Sequence, residues 1–523
     1  MTVCAATAAL TAYVGQAARV APQVTFTPQV PGASRASGNR VFLERADVLY
    51  KERTDSFMVV SGNVVFTKGP MLMKCDSAHY FPSVESFEAF GNVSMEQGDT
   101  LFVYADELNY MGPQEICYLY ADPGKKVRLI NRDVMLRTDV FTYDLRTEVG
   151  YYNVGGELTD RSNRLTSLEG EYIPATKDAN FYINVHLNSL GDHDTLDIYT
   201  DSLFYNTASH IAELYSPSKV INARGTIFTD NAFYDTDADT AALYDRSVVA
   251  TPEGRYVVAD TIYYRRAEGT SRCYGDMVMV DTVRRTQLEA DYGFFNQHID
   301  SAFATGRLLI KEYSKGDTLY LHGGRLNAYR IIDTITTEAV EADTVRGIAA
   351  VPASERLDTT HVADIWPRVR FYRSDMQGVC DSMRVTRADS TVRLYVSPVV
   401  WSGERQIFGN VIELHMNDST IDRARLPQFG FTAERLVDDF YNQMSGKEMI
   451  AYFDDGHLSR LDINGNVELT MFPEEKDSTI NKMVTAQSSF MRADFADNAA
   501  ERIKMWPETT GPVSYTHLTL PTT

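Results

Sequence analysis

GNVSMEQGDTLFVYADELNY, residues 91–110, carries the pattern from which the fold of this chain can be predicted. Gly-Asn-Val begins a strand at residue 91, Gly-Asp-Thr-Leu forms a turn at residues 98–101, and Ala-Asp-Glu-Leu-Asn-Tyr continues a second strand. Apolar and polar residues alternate along both segments, which places successive side chains on opposite faces of a strand. The stretch therefore predicts a unit of two antiparallel strands with one buried face.

The same unit recurs along the chain at intervals of about 30 residues. An aspartate column marks the recurrence, with a degenerate copy near Glu169: Asp47, Asp76, Asp106, Asp139, Asp201, Asp230, Asp260 and Asp291. The residue before each aspartate is small, and the residues two and four positions after it are usually apolar and aromatic. Because this spacing is that of a strand, the sequence predicts a β-repeat protein in which the aspartates make hydrogen bonds at turns or strand ends.

Stacking about ten such units predicts an all-β fold, an elongated β-solenoid or a V-shaped antiparallel β-jelly roll. The predicted inward-facing residues, the candidate lining of a groove, are Val64, Phe66, Val93, Met95, Leu108, Tyr110, Phe141, Tyr143, Leu203, Tyr205, Ile262 and Tyr264. The small residues Ala78, Ala232 and Gly293 favour an incompletely filled trough. Large and small residues can also interdigitate in a dry core, so the pattern leaves both interiors open.

The pattern divides the chain into segments. We expect an incomplete signal peptide and flexible lead-in at 1–40, a repeat domain at 41–330, a disordered acidic insertion at 331–366, a second repeat segment at 367–495, and a segment of unknown structure at 496–512. A plain disordered leader is the alternative for the N-terminal segment, since the basic start of a signal peptide is missing. Residues 513–523, VSYTHLTLPTT, resemble a translated sequencing adapter, with an authentic polar tail as the alternative. Residues 432–445 are expected to form a short helix.

Charge and cysteine content exclude several classes of protein. The net charge of −21 argues against nucleic acid as a partner, because binding to phosphates relies on Lys and Arg. The five cysteines are far apart and form neither a disulfide framework nor a zinc site. Cys75 and Cys380 each precede an aspartate of the repeat, so we expect both to be small buried residues. No stretch approaches the roughly 20 apolar residues of a membrane helix.

Enzymatic function is the main rival interpretation, since paired carboxylates in a β-helix can hydrolyse polysaccharide. A catalytic pair should be a local exception, whereas these aspartates recur once in each unit. The segment GDHD at residues 191–194 could hold a metal ion through His193, but turns are rich in such residues. The sequence therefore predicts no catalytic residue, no metal site and no cofactor.

Two units, SGNVVFTKGPMLMKCDSAHYF and FGNVSMEQGDTLFVYADELNY, resemble the repeat of the OstA-like, LptA-type family of Gram-negative periplasmic proteins. The resemblance is strongest over residues 41–325 and weaker over residues 375–490, and it is greatest to the long OstA-like proteins of the Bacteroidetes type. It implies a V-shaped antiparallel jelly roll that binds lipopolysaccharide by its acyl chains, with no enzymatic activity. It also implies a place in the periplasm, or in association with the outer membrane.

The resemblance further implies partners. Other β-jelly-roll components of a transport bridge, or an outer-membrane translocon, are expected to pair with the open sheet edges. Because the surface is acidic, we expect any contact with the lipid headgroup to be bridged by divalent cations. The alternatives are the N-terminal part of an outer-membrane lipopolysaccharide translocon, and a structural or adhesive solenoid without a ligand.

Overall fold

The computed structural model describes residues 40–51, 56–190, 195–313, 316–337, 354–417, 421–436, 440–454, 457–473, 480–496 and 499–515. Within these ranges the chain forms 44 β-strands and no helix. Neighbouring strands pair in the antiparallel sense from the first to the last. The prediction of an all-β antiparallel repeat fold is therefore confirmed.

The strands follow one another with short connections. The first half of the fold consists of β1 Phe42–Arg45, β2 Val48–Tyr50, β3 Met58–Lys68, β4 Met71–Phe81, β5 Ser86–Gln97, β6 Leu101–Met111, β7 Ile116–Tyr120, β8 Val127–Asn131, β9 Val134–Thr138, β10 Val140–Asp144, β11 Val149–Tyr152, β12 Gly156–Thr159, β13 Asn163–Ser167, β14 Glu169–Ile173, β15 Asp178–Leu190, β16 Thr195–Asn206, β17 Ile211–Leu214, β18 Ser218–Asn222, β19 Gly225–Thr229, β20 Asn231–Asp235, β21 Thr240–Tyr244 and β22 Ser247–Ala250.

The remaining strands continue the same order. They are β23 Arg255–Ala259, β24 Thr261–Arg265, β25 Thr270–Asp281, β26 Thr286–Asn296, β27 Ser301–Glu312, β28 Leu319–Thr337, β29 Ser354–Trp366, β30 Val369–Arg373, β31 Met376–Cys380, β32 Ser382–Thr386, β33 Thr391–Tyr395, β34 Val399–Ser402, β35 Arg405–Gly409, β36 Val411–Met416, β37 Ile421–Leu426, β38 Gly430–Arg435, β39 Tyr441–Gly446, β40 Glu448–Asp454, β41 His457–Met471, β42 Lys482–Ala496, β43 Ala499–Trp506 and β44 Val513–Tyr515.

The sheet is folded into two facing halves, which β6 shows most directly. Residues 101–104 of β6 pair with β8, whereas residues 107–111 pair with β7. We call the half that contains β7, β10, β11 and β14 leaf 1, and the half that contains β8, β9, β12 and β13 leaf 2. The chain passes between the leaves along a line that we call the corner. The opposite margins, where the reverse turns lie, form the mouth.

The aspartate column lies along the corner, where the long strands are bulged. Asn92 donates a hydrogen bond from Nδ2 to Asp76 at 2.7 Å. Gly91, beside it, has φ +75°, and a Cβ there would lie 2.6 Å from the Asp76 carboxylate. Asp47 accepts the equivalent hydrogen bond from Asn63 at 2.8 Å, so the arrangement repeats. The column therefore braces successive corners, which confirms its predicted structural role.

The interior between the leaves is a packed apolar core. Phe66 of leaf 2 stacks on Phe87 of leaf 1 with ring centroids 4.1 Å apart. A Cβ on Gly293 would lie 2.2 Å from Met277 Sδ, so the space beside this glycine is filled by the methionine. Cys75 and Cys380 are buried, as predicted, and burial raises the pKa of both thiols to about 12. Small residues in the inward columns thus accommodate large ones from neighbouring strands.

Two expectations about local structure are wrong. Residues 331–337 and 354–366, expected to be disordered, form the continuous hairpin of β28 and β29, whose pairing runs from Arg325 with Trp366 to Thr337 with Ser354. Both segments are rich in Thr and β-branched residues, and that strand propensity prevails over their acidic composition. Residues 338–353 of the insertion lie outside the described residues.

The expected helix at 432–445 is the second error. Residues 432–435 belong to β38 and residues 441–445 to β39, along which burial alternates with the strand period of two, whereas residues 437–439 lie outside the described residues. Residues 499–506, for which no structure was predicted, form β43. The predicted signal peptide and lead-in up to residue 39, the GDHD segment at 191–194 and residues 516–523 lie outside the described residues, whereas residues 513–515 form β44. In the part of the chain that the structure describes, no helix is long and apolar enough to cross a membrane.

Candidate functional site

The predicted groove residues come together in the interior between the two leaves. Eleven of the twelve are buried in one continuous core, and Tyr264 is half-buried. The open trough that the small residues favoured is therefore absent at these positions. Gly150 shows the physical reason, because a Cβ there would lie 2.2 Å from the Phe141 ring. In this part of the protein the interior is closed and filled.

A row of hydrogen bonds closes the mouth over this filled interior. Each joins a tyrosine hydroxyl of leaf 1 to a polar side chain at the mouth of leaf 2, and the pairs are Tyr110 with Lys68 at 2.8 Å, Tyr143 with Gln97 at 3.2 Å, Tyr172 with Asn131 at 3.0 Å, Tyr205 with Asn163 at 2.8 Å and Tyr264 with Arg224 at 2.8 Å. The partners are 40 to 46 residues apart in the chain. We call these five pairs the seam.

Two seam pairs include buried charge. Lys68, whose side chain is 3% exposed, donates to the Tyr110 hydroxyl and lies 3.1 Å from a Glu115 carboxylate oxygen. Tyr205 accepts from Asn163 and donates to Asp160 at 2.6 Å. Burial raises the pKa of both tyrosines, so their hydroxyls stay protonated at neutral pH. Since buried polar groups are costly without partners, the seam joins the two leaves at defined positions.

Replacing Tyr172 by Phe should weaken the seam without disturbing the core. The change removes only the hydroxyl that accepts from Asn131, which also donates to the Pro174 carbonyl oxygen at 3.2 Å and so keeps one partner. We expect the free energy of unfolding to fall by about 0.5–1.5 kcal/mol, as measured by equilibrium urea unfolding. Tyr182→Phe, on an exposed outward-facing side chain, is the control and should have no effect. Equal effects of the two changes would contradict a structural role for the seam.

The residue four positions after the repeat aspartate is a tyrosine in most units, and we call these positions the tyrosine column. After Asp291 this position is Phe295, and the burial of residues at the mouth changes there as well. Phenylalanine has no hydroxyl for a seam bond. Near the mouth of leaf 2, the inward-facing residues Phe66 and Met95 are fully buried. The inward-facing residues at the corresponding places of later repeats, Met279 and Ile310, are only half-buried. At Met279 and Ile310 the interior is thus less closed than at Phe66 and Met95. We call this region, with inward-facing Met279, Leu288, Phe295, Ile310 and Leu319, the open segment.

Sequence reasoning missed both the seam and the open segment. The replacement of Tyr by Phe295 in an otherwise tyrosine-containing column was a visible signal for the open segment. The polar partners of the seam carried no such signal, because each lies more than one repeat away from its tyrosine.

The corner aspartates are engaged in structural contacts. Asp106 accepts hydrogen bonds from Lys125 Nζ at 2.6 Å and from the Asp122 backbone N–H at 2.9 Å, and the Lys125 contact is the main cause that lowers its carboxyl pKa. Asp260 forms an ion pair with Arg246 at 3.0 Å. Among the residues that the structure describes, no group of three or more His, Cys, Asp or Glu could hold a metal ion. The recurring carboxylates therefore act as braces of the corner.

Comparison with known families bears on this architecture. Residues 38–191 match the family model described as OstA-like protein. The matched range covers β1 to β15, so it includes three complete seam pairs and Asn163, the leaf 2 partner of Tyr205. A search of curated proteins returned no match. The resemblance stated from the repeat motifs is confirmed over the matched residues.

Proposed function

Starting from the OstA-like match of residues 38–191, we propose that this protein is a non-enzymatic periplasmic carrier that shelters lipopolysaccharide acyl chains between its leaves on the way to the outer membrane. The observation that carries the proposal is the continuous apolar interior, which is latched by the seam at one end and less closed at the open segment. No bond is made or broken in this function. The protein supplies a path that excludes water.

The free energy of burying acyl chains is larger than the free energy of opening the seam. Each exposed CH2 of an acyl chain costs about 0.8 kcal/mol in water, so a chain of about a dozen carbons costs around 10 kcal/mol. A seam hydrogen bond contributes about 1 kcal/mol net. Acyl chains that replace the contacts between facing leaves could therefore separate several seam pairs and still be stabilised. The open segment needs the least separation, so we place lipid entry there.

The first sheet edge supports an assembly through strand pairing. β1 and β2 pair with β3 on one side, and Phe42, Val48 and Leu49 are each 57% exposed on these two strands. A sheet edge with exposed apolar residues can accept a strand from another β-protein. We propose that other β-jelly-roll components, of a bridge or of an outer-membrane translocon, extend the path at such edges.

A photo-crosslinking amino acid placed at Phe295 should test the carrier function directly. Phe295 is half-buried and faces the interior of the open segment, whereas the control Phe303 is a half-buried phenylalanine on the outer face of the next strand. In cells that make lipopolysaccharide, we expect a lipid adduct from position 295 and none from position 303. A folded protein that gives no adduct at 295, or equal adducts at both positions, would contradict the proposal.

The filled interior beneath the seam favours a second candidate, a structural solenoid without a ligand. In that case the packed core would serve rigidity alone, and the half-buried residues of the open segment would have no ligand. The same crosslinking experiment separates the two functions, because only the carrier predicts a face-specific adduct.

A further inference from the structure

A cleft of about 270 Å³ lies on the outer face of leaf 2, away from the interior. It is formed by β28, β30, β31 and β34, and its principal lining residues are Tyr320, His322, Arg370, Tyr372, Gln377 and Trp401. Cross-strand pairing places these side chains together: Tyr320 lies opposite Tyr372, His322 opposite Arg370, and Gln377 opposite both Tyr372 and Trp401. Three aromatic rings thus lie in one cross-strand row, beside the guanidinium and the imidazole of the next row.

The two basic groups of this cleft, Arg370 and His322, are available to bind an anion. Other arginines on nearby strands form ion pairs, as Arg384 does with Asp364 at 2.7 Å and Arg373 with Asp375 at 2.5 Å. Within the described ranges, by contrast, neither Arg370 nor His322 has an ion pair or a side-chain hydrogen bond. A guanidinium in this state can bind a phosphate or carboxylate through two parallel hydrogen bonds.

The aromatic residues suit a sugar beside that anion. Tyr320 is 43% exposed and Tyr372 is 54% exposed, so both rings offer apolar faces to solvent. The C–H faces of a pyranose pack on such rings, while tyrosine hydroxyls and the Gln377 amide can hydrogen-bond its hydroxyls. An extended peptide fits less well, because β30 and β31 are paired on both sides and present no free edge for strand addition.

The cleft and the open segment lie on opposite faces of the same strand, β28. Side chains alternate along β28, so Leu319 and Leu321 face the interior while Tyr320 and His322 face the cleft. Leu319 is at the mouth, where β28 begins. An amphipathic lipid whose chains pass Leu319 would therefore bring its headgroup over the margin of leaf 2 towards Tyr320.

We propose that this cleft binds the phosphorylated saccharide headgroup of the lipid carried in the open segment, with Arg370 on the phosphate and Tyr320 and Tyr372 on the sugar. The proposal rests on the carrier function and adds a headgroup site to it. It also replaces, at this one position, the expectation that headgroup contact needs a bridging divalent cation.

Binding of a deacylated, bisphosphorylated glucosamine disaccharide tests the proposal by calorimetry, without acyl chains and with a chelator present. We expect Arg370→Gln and Tyr372→Ala each to weaken binding by about tenfold or more. Arg128→Gln, which removes another exposed arginine from the outer face of leaf 2, should leave binding unchanged. All three side chains are exposed, so thermal unfolding midpoints should match that of the unsubstituted protein.

Several outcomes would overturn the headgroup site. Equal binding to the unsubstituted protein and to Arg370→Gln would do so. Competition by inorganic phosphate at the same concentration would reassign the cleft to free anions, and tighter binding of an acidic peptide would reassign it to a protein partner. Lipid adducts from position 295 in the Arg370→Gln protein would show that the carrier function stands when the headgroup site fails.

Discussion

Phe66→Ala should lower the free energy of unfolding by about 3–5 kcal/mol, the largest effect that we expect from a single substitution. Phe66 is fully buried in leaf 2 and stacks on Phe87 of leaf 1, with a second ring, Tyr80, at 5.6 Å. Removing the ring leaves a cavity between the leaves, and neighbouring strands are held by their ladders and cannot collapse into it. Equilibrium urea unfolding of the purified protein measures the loss.

The matched control for this substitution is Phe42→Ala. Phe42 lies on β1, which pairs with β3 beside Phe66, but its side chain is 57% exposed. We expect a change within about 0.5 kcal/mol, as for most surface substitutions. If both substitutions cost the same, or if Phe66→Ala costs less than about 1.5 kcal/mol, the packed core that spans the two leaves is contradicted.

Gly91→Ala should cost about 2–3 kcal/mol, because it strains the corner in two ways. Gly91 has φ +75°, a left-handed conformation that costs an alanine about 1–2 kcal/mol. The new Cβ would also lie 2.6 Å from the Asp76 carboxylate, which must move away from Asn92 and give up a hydrogen bond worth about 1 kcal/mol. The same urea experiment gives the free energy.

Gly98→Ala separates these two contributions. Gly98 has φ +60°, but a Cβ added there would have no atom within 4 Å, so only the backbone strain applies. In the double variant Gly91→Ala with Asp76→Ala, the contact is removed, and the two single effects should not add. A fully additive double variant, or equal costs at Gly91 and Gly98, would argue that Asp76 does not constrain the corner.

The seam and the open segment divide the interior into a region with hydrogen bonds between the leaves and a region without seam pairs. Five hydroxyl pairs latch the leaves between Lys68 and Tyr264, and the next residue in the tyrosine column is Phe295. A carrier needs one region that holds its shape and another that admits cargo at low free-energy cost. The seam pairs supply the first region, and the crosslinking experiment at Phe295 examines the second region.

Much of the fold follows from the sequence because its signals are local. Alternation with a period of two identifies strands, and the aspartate with its small neighbour identifies each corner. The same signals assigned eleven of the twelve predicted groove residues correctly to one interior, although they did not show that the interior at those positions is filled. They failed where composition was weighed above alternation, in the β28–β29 hairpin and at β38 and β39.

The features that no sequence pattern predicted depend on contacts between the two leaves or among several strands. The seam joins residues 40 to 46 positions apart, and no local pattern specifies which polar residue at the mouth of leaf 2 meets a given tyrosine of leaf 1. The cleft around Arg370 likewise arises from four strands whose register is set by pairing. Strands, repeats and the face of each side chain could be read from the sequence alone, since these depend on neighbours along the chain. The filled interior, the seam and the outer cleft depend on residues that are distant in the chain and adjacent in space. They are therefore decided by tertiary packing.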